Sequence, residues 1–313
     1  MLNRVLVTGA SGFAGGHLLD SLSTQDFEIF AWHRPGGTPP RTVPRTTWQP
    51  IDILNSAAVR AALEEIRPRF VYHCAGAAHV GRSWSSTTAT LALNVRGTHY
   101  LIEGLRDARI DARVLIPSSA TVYQVSDQPL REDHRLLPAS PYAVSKLAQE
   151  LVGRDNPGGP QVSIARAFNH FGPRQDPWFV ASGFARRIAD IEAGRWEPEM
   201  AVGNLEARRD LTDVRDTVRA YRDILERGTA GSVYNVCSGR AIVIRDLLEM
   251  MLARSRVPIR IKPDPARFRP NDQPVVVGDP AHINSELGWT PHIPVEQTVD
   301  DLLEFWRAAA AGT

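Results

Sequence analysis

Near its amino terminus the chain carries a glycine-rich turn between an apolar strand and a helix-like segment. The run VLVTGASGFAG spaces Gly9, Gly12 and Gly15 three residues apart, and the helix opens near Phe13. Glycines at this spacing allow a tight turn, which brings backbone N–H groups close to a pyrophosphate at the helix N-terminus. The motif therefore predicts a dinucleotide-binding βαβ unit, and with it a parallel sheet of the Rossmann type.

Strand-like and helix-like segments alternate along the first half of the 313-residue chain. The predicted strands are Arg4–Thr8, Glu28–Ala31, Phe70–Cys74, Arg113–Ile116 and Gln161–Ala165, with a late one at Ser232–Val236. The predicted helices of this half are Ser56–Ile66, Thr88–Asp107 and Tyr142–Gly153. This alternation predicts a doubly wound parallel sheet that is covered by helices on both faces.

The alternation weakens after about Arg166, where Pro, Gly, Arg and Trp become common. Helical spacing of apolar residues continues at Val180–Ala193, Asp213–Glu226, Val243–Ala253 and Glu296–Ala310. We predict an α/β protein with a dinucleotide-binding domain at 1–166 and a smaller, mostly helical substrate-binding lobe at 167–313. A segment near 211–240 is expected to return to the main sheet.

Composition narrows the possible partners. Lys and Arg total 36 against 35 Asp and Glu, so a net charge of +1 favours neither nucleic acid nor an acidic membrane as partner. The two cysteines, Cys74 and Cys237, are too few and too far apart for a metal site or a disulfide framework. With no apolar run long enough for a membrane span and no signal-peptide pattern, we expect a cytoplasmic protein.

The end of the second strand bears on the choice of cofactor. A carboxylate there binds the ribose 2′-hydroxyl of NAD, but this chain continues as Trp32-His33-Arg34. A guanidinium suits a 2′-phosphate, so Arg34 favours NADP; if Arg34 is only a solvated loop residue, NAD remains possible. Further along, Asp52 and the adjoining Ile53 are candidates for the adenine pocket, although Asp52 is equally able to cap the following helix.

Catalytic chemistry is suggested by Tyr142 and Lys146, which the run PYAVSK places four residues apart. On a helix this spacing puts the phenol and the ammonium on one face, where the positive charge is expected to lower the pKa of the phenol. Ser119 lies upstream in LIPSSATVY, at the end of a predicted strand, and its hydroxyl is a candidate partner for a substrate oxygen.

At this point the sequence resembles the extended short-chain dehydrogenase/reductase family, through TGASGFAG, SSATVY, YAVSK and Asn94–Thr98. The resemblance implies that Tyr142 is the acid-base residue, that Lys146 activates it and binds the nicotinamide ribose, and that Ser119 polarises the reacting oxygen. The implied cofactor-binding residues are Gly9, Gly12, Phe13, Gly15, Arg34, Asp52, Ile53, Asn94, Tyr142 and Lys146. A departure occurs at His73–Gly76, where relatives often have Leu and Ala at the second and fourth positions.

The second half resembles the GDP-sugar branch of this family, and its reductases in particular, in FNHFGPRQ, VGNLEARRDLTDVRD, VYNVCSG and RPNDQP. This resemblance implies a GDP-sugar substrate that Arg209 and Arg269 hold by its diphosphate. The further implied substrate-binding residues are Ser83, Trp84, Asn169 and Asp272. A buried structural tryptophan remains an alternative for Trp84. Relatives also dimerise through two long helices, so a homodimer is implied.

Several reactions run on this type of site. Dehydratases of the branch carry an acidic residue at the position of Thr121, and a threonine is too weak a base to remove a C5 proton. We therefore expect NADPH-dependent reduction of the 4-keto group of a GDP-4-keto-6-deoxy-hexose, giving a sugar of the GDP-rhamnose type. A GDP-mannose 4,6-dehydratase and a nucleotide-sugar 4-epimerase remain alternatives, whereas a non-enzymatic dinucleotide sensor is disfavoured because Tyr142, Lys146 and Ser119 are all present.

Overall fold

The computed structural model of the protein describes residues 3–37, 42–267 and 273–312. Its strands are β1 (Asn3–Thr8), β2 (Phe27–His33), β3 (Thr46–Pro50), β4 (Phe70–His73), β5 (Arg113–Ser119), β6 (Gln161–Ala167), β7 (Asn169–Phe171), β8 (Glu199–Val202), β9 (Arg208–Asp213), β10 (Val233–Val236), β11 (Ala241–Val243), β12 (Arg260–Pro263) and β13 (Val275–Val276). Its helices are α1 (Phe13–Ser23), α2 (Ser56–Ile66), α3 (Val80–Ser83), α4 (Thr87–Leu91), α5 (Gly97–Asp107), α6 (Pro141–Arg154), α7 (Val180–Glu192), α8 (Val214–Arg227), α9 (Ile244–Leu252), α10 (Ala281–Leu287) and α11 (Val295–Ala311).

The main sheet has seven parallel strands in the order β10-β6-β5-β4-β1-β2-β3, which confirms the predicted doubly wound fold. The order reverses between β1 and β4, and ligands of open α/β sheets bind at such a reversal. The last four residues of β1, Val5–Thr8, are all buried. This matches the continuous apolar runs that parallel strands show when helices cover both faces.

Strand β3 is the element of this sheet that sequence patterning does not predict. It reads TTWQP, has no clear alternation, and lies at the sheet edge beside β2. An edge strand needs only one neighbour, so Pro50 is tolerated at its last position. Strand β2 also continues beyond its predicted end at Ala31, as far as His33.

The single helix predicted for Thr88–Asp107 is divided in the structure. A π-helical turn at Ala92–Arg96 separates α4 from α5. The fully buried Asn94 lies inside this turn, and its Oδ1 accepts a hydrogen bond from the Ala77 backbone N–H at 2.7 Å. Turns of this kind often mark functional sites, because the extra residue re-aims one side chain.

The core on one face of the sheet joins the two halves of the sequence. Leu18, Leu19 and Leu22 on α1 are fully buried in the same cluster as Val218 and Tyr221 on α8. Burying each leucine contributes about 1.5–3 kcal/mol relative to leaving it exposed. Helix α8 therefore belongs to the core of the dinucleotide-binding fold although it lies in the second half of the chain.

The C-terminal lobe is built mainly from helices, as expected, but two small sheets also hold it together. One combines β7, β9, β11 and β13, and the other pairs β8 with β12. The buried carboxylate of Asp210 on β9 accepts hydrogen bonds from the backbone N–H groups of Ser238, Gly239 and Gly278. Strand β10 leaves this lobe and pairs with β6, so the predicted return of Ser232–Val236 to the main sheet is confirmed.

Candidate active site

The carboxyl ends of the central strands bring the predicted residues to one edge of the sheet. Gly9 follows β1, Arg34 follows β2, and Ser119 ends β5. Gly9 has a φ of +62°, and a Cβ there would lie 2.6 Å from the Ala75 backbone nitrogen. A side chain at Gly9 is therefore excluded both by conformation and by space, which explains the glycine at this turn.

Helix α1 presents an uncapped N-terminus to this edge. Its N-cap is Gly12, and among the described residues no side chain caps the helix and no acidic residue occupies its first turn. The Gly12 N–H bonds to the Gly9 oxygen at 2.9 Å, so the N–H groups that follow, from Phe13 to Gly15, are directed at the turn. Such backbone donors at a helix N-terminus match a pyrophosphate, and these residues fit a dinucleotide.

The residues proposed for the adenosine end lie after β2 and β3. Arg34 is exposed, and its backbone oxygen accepts from Gly37 N–H at 3.2 Å. Asp52 accepts from Leu54 N–H at 2.9 Å, whereas the cap of α2 is Asn55, whose Oδ1 accepts from Ala58 N–H at 3.1 Å.

Asp52 therefore does not cap that helix, contrary to the alternative left open by the sequence, because Asn55 occupies the cap position. Ile53 is buried, and its side chain lies 3.1 Å from where a Cβ on Gly97 would be. Asp52 remains exposed at the same edge of the sheet.

Ser119 has a defined hydrogen-bonding pattern. Its Oγ accepts from the Thr121 backbone N–H at 3.2 Å and from the Thr121 hydroxyl at 3.0 Å. A hydroxyl oxygen has two lone pairs and one proton, so these contacts leave the Ser119 proton to be donated. The Tyr142 phenol is the other hydrogen-bond partner of Ser119, and this bond lowers the pKa of the phenol.

Burial has the larger effect on Tyr142 and raises the pKa of its phenol, which is contrary to the lowering expected from Lys146. The Lys146 ammonium donates instead to the Pro117 backbone oxygen and to Gln149 Oε1, both at 2.6 Å. Burial also lowers the pKa of Lys146 to about 8, although Glu150 and Cys74 act in the opposite direction. Tyr142 is therefore a phenol at neutral pH and is able to donate a proton.

The departure at Gly76 has a structural explanation. A Cβ at Gly76 would lie 2.6 Å from Asn94 Oδ1, so an alanine cannot be accommodated with Asn94 in this position. Asn94 also donates to the Ser145 hydroxyl at 2.8 Å, and that hydroxyl bonds to the Tyr142 backbone oxygen. The glycine thus allows Asn94 to support the start of helix α6.

Ser83 and Trp84 differ in their surroundings. Ser83 is buried, donates to the Val80 oxygen at 2.6 Å and accepts from the Tyr142 backbone N–H at 3.2 Å. It therefore holds the first turn of α6 next to Tyr142. Trp84 is 61% exposed, so the alternative of a buried structural tryptophan is wrong.

A cleft of about 520 Å³ lies in the C-terminal lobe and contains both Asn169 and Arg209. Its volume is within the range of small-molecule sites. The other two substrate-binding predictions, Arg269 and Asp272, lie outside the described residues.

Sequence analysis did not identify the aromatic lining of this cleft. Trp178 and Trp196 line it and are more than half exposed, and the Arg187 guanidinium carbon lies 4.1 Å from the centre of the Trp196 ring. Scattered tryptophans in sequence give no sign that they share a surface. Arg187 follows Arg186 on α7, and the sequence indicated only that both lie on a helix, not that Arg187 contacts Trp196.

Other kinds of site find no support in the described part of the chain. Within residues 3–37, 42–267 and 273–312, no group of three His, Cys, Asp or Glu side chains is arranged to hold a metal ion. No helix in these ranges has the length and apolar character needed to cross a bilayer.

Comparison with known proteins agrees with this geometry. The model of the family described as GDP-mannose 4,6 dehydratase matches residues 6–302. The chain is 36% identical to a GDP-6-deoxy-D-mannose reductase of Pseudomonas aeruginosa, with 98% of each chain covered. It is 28% identical to a UDP-glucose 4-epimerase of Bacillus subtilis over 97% of this chain and 96% of the relative. The structure of RMD from Pseudomonas aeruginosa complexed with NADPH is similar, with a TM-score of 0.86, 33% identity and coverage of 98% of this chain and 99% of the other.

Proposed function

Since the chain belongs to the GDP-mannose 4,6-dehydratase family, we propose that it reduces the 4-keto group of a GDP-4-keto-6-deoxy-hexose with NADPH. The product would be a GDP-6-deoxy-hexose of the GDP-rhamnose type. The reductase of Pseudomonas aeruginosa, similar over its full length, supports this substrate class. The related RMD structure with NADPH supports the cofactor, and so does an arginine in place of a carboxylate after β2.

The observation that carries the choice of reaction is the hydrogen bond from Thr121 to Ser119. Dehydration requires a base near C5, and the hydroxyl at this position donates its proton to Ser119 Oγ at 3.0 Å. A donating hydroxyl cannot remove a C5 proton, but it does strengthen Ser119 as a donor, because linked hydrogen bonds polarise one another. Thr121 thus favours reduction over dehydration.

The residues of the site suit this reduction. When bound, the nicotinamide supplies a hydride to C4 of the sugar. We assign to Ser119 and Tyr142 the hydrogen bonds donated to the C4 oxygen, where negative charge develops as the carbonyl carbon is reduced. Tyr142 then transfers its proton to that oxygen, and Lys146 stabilises the phenolate that remains.

We assign substrate binding to the cleft of the C-terminal lobe together with Ser83 and Trp84, which are not among the residues that line it. We assign the diphosphate to Arg209 and Arg269, and other substrate contacts to Ser83, Trp84, Asn169 and Asp272. Guanidinium groups bind diphosphate oxygens bidentately, which suits the arginines in this set. The cofactor is assigned to Gly9, Gly12, Phe13, Gly15, Arg34, Asp52, Ile53 and Asn94, together with Tyr142 and Lys146.

The decisive experiment mixes purified protein with NADPH and enzymatically prepared GDP-4-keto-6-deoxy-mannose. We expect loss of NADPH absorbance that Tyr142→Phe abolishes, and NMR of the sugar product gives the configuration at C4. If the protein leaves this substrate unchanged and instead converts GDP-mannose to the 4-keto sugar, the reductase assignment is wrong and a dehydratase replaces it.

We further propose a dinucleotide-binding domain at 1–166 and a substrate-binding lobe at 167–313, with the segment near 211–240 returning to the main sheet. We also propose a homodimer and a cytoplasmic location. The exposed Val144 and Leu151 on α6 support a helix-mediated dimer, since an apolar stripe on a surface helix favours association. Light scattering of the purified protein tests the dimer, and cell fractionation tests the location.

A further inference from the structure

A continuous set of buried hydrogen bonds connects the glycine turn with the catalytic lysine. From Lys146 it passes to Gln149 Oε1 at 2.6 Å, and from Gln149 Nε2 to the Thr98 hydroxyl at 2.8 Å. The Thr98 hydroxyl is 2.8 Å from His73 Nε2, and His73 Nδ1 is 2.9 Å from the hydroxyl of Thr8, the residue before Gly9. All five residues are buried, and three of them lie on α5 and α6.

The direction of each bond follows from the groups involved. An ammonium only donates, so Gln149 must turn its oxygen to Lys146 and its N–H to Thr98. Thr98 donates its own proton to the Asn94 backbone oxygen at 2.7 Å, which leaves its lone pairs for Gln149 and His73. His73 therefore carries its proton on Nε2, and Nδ1 accepts from Thr8.

His73 must be neutral for this arrangement, and burial lowers its pKa to about 3. The Thr8 hydroxyl in turn accepts from the Ala75 backbone N–H at 3.1 Å. Each of the five side chains thus makes at least two hydrogen bonds, to another member of the set or to nearby backbone. Several linked hydrogen bonds hold a buried side chain in one arrangement.

The immediate neighbour of the ammonium is an amide and not a carboxylate. Glu150 is next in sequence, but its carboxylate is committed to Arg166 at 2.8 Å and to the Ser118 hydroxyl. A carboxylate in contact with Lys146 would form an ion pair and weaken the positive field at the phenol, whereas an amide oxygen fixes the ammonium and leaves its charge in place.

We propose that Gln149 is a positioning residue for the reductase: it orients the Lys146 ammonium by a neutral hydrogen bond and so preserves the charge that stabilises the Tyr142 phenolate. This rests on the proposed function for its effect on turnover, but not for its effect on Lys146. Thr98 and His73 fix the amide of Gln149 from behind, and through Thr8 the arrangement extends to the base of the glycine turn.

The chain offers a direct test, because Lys146 and Lys262 are its two lysines. Protein labelled with ¹³C-lysine gives two side-chain signals, and Lys262→Arg assigns them. The Lys146 signal is followed against pH in wild type and in Gln149→Glu. The other titratable or charged groups around Lys146 are Glu150, Cys74, Tyr142, Arg166 and His73. The substitution alters none of them.

In Gln149→Glu we expect the pKa of Lys146 to rise by about one to three units, since a carboxylate then faces it. At the same time we expect kcat for the keto sugar to fall about ten-fold or more, because the ion pair cancels charge at the phenolate. In Gln149→Met, where the acceptor is lost, we expect a lower pKa of Lys146 and a lower kcat. Gln161→Glu, at the exposed start of β6, adds the same charge elsewhere and should change neither quantity.

An unchanged Lys146 titration in both Gln149 variants would overturn the proposal, and so would a raised pKa with wild-type kcat in Gln149→Glu. Circular dichroism identifies a Gln149 variant that does not fold, and the other Gln149 variant then tests the proposal. If wild type reduces no GDP-keto sugar, the proposed function fails, while the titration still reports whether Gln149 controls Lys146.

Discussion

His17 should make this fold sensitive to acid. Its Nε2 lies 2.8 Å from the Pro173 backbone oxygen, so that nitrogen carries the proton and α1 is tied to the start of the C-terminal lobe. Burial lowers the pKa of His17 to about 4, from about 6.5 in an unfolded chain. Between these values the unfolded chain binds a proton that the native protein does not, so native stability is complete above the higher value and falls as the pH drops towards the lower one.

The size of the effect follows from the difference between the two pKa values. A proton taken up only by the unfolded chain costs about 1.4 kcal/mol for each pH unit inside this window. From about pH 7 to about pH 5, His17 should lower the free energy of unfolding by about 2 kcal/mol. His17→Gln removes the titration and keeps an N–H that can reach Pro173, so the variant should lose about 2 kcal/mol less than wild type over this range.

Urea unfolding at the two pH values, followed by tryptophan fluorescence, measures both losses. His99→Gln is the matched control, because it makes the same substitution at an exposed position on α5. Equal losses in wild type and His17→Gln would refute the reasoning, whatever the stability of the variant at neutral pH.

Three further predictions concern the site. Thr121→Val should lower kcat about five-fold, because the hydrogen bond to Ser119 is lost, whereas Thr121→Ser should keep the wild-type kcat. Steady-state kinetics measures both variants, and equal kcat values for the two would contradict the role of the hydroxyl. Arg34→Ala should weaken NADPH binding by at least about ten-fold and leave NADH binding unaffected. A fluorescence titration measures both affinities, and an equal loss of affinity for the two cofactors would contradict the prediction. Gly76→Ala should lower the free energy of unfolding by about 1–3 kcal/mol, because its Cβ meets Asn94 Oδ1; a wild-type urea midpoint would argue against this contact.

Local patterns were enough to predict the elements that carry the site. The glycine turn after β1 and the spacing of Tyr142 and Lys146 each depend on a few consecutive residues, so sequence alone locates them. The boundaries of α2 match the prediction because its apolar residues follow a helical period, although its cap is Asn55 and not Asp52. Strand β3 was not predicted, because a strand at the sheet edge does not need alternating apolar residues.

The surroundings of these residues were not predictable in the same way. Asn94, inside the π-helical turn, bonds to Ala77 seventeen residues earlier, and helical periodicity does not reveal this contact. The direction in which the pKa of Tyr142 shifts was predicted wrongly. Spacing on a helix indicates which groups are near one another, but it does not indicate how deeply the phenol is buried. Gln149 was passed over for the same reason, since its importance lies in partners on other elements.

The pairing of β10 with β6 has a consequence for how the chain is made. Residues 233–236 complete the sheet, and α8 covers α1, so the first half of the polypeptide leaves the ribosome with an unpaired sheet edge and an uncovered leucine face. Unpaired edges and exposed apolar faces promote aggregation during synthesis. A gene fragment ending at residue 166 should therefore yield insoluble protein, and co-expression with the remaining fragment should restore solubility.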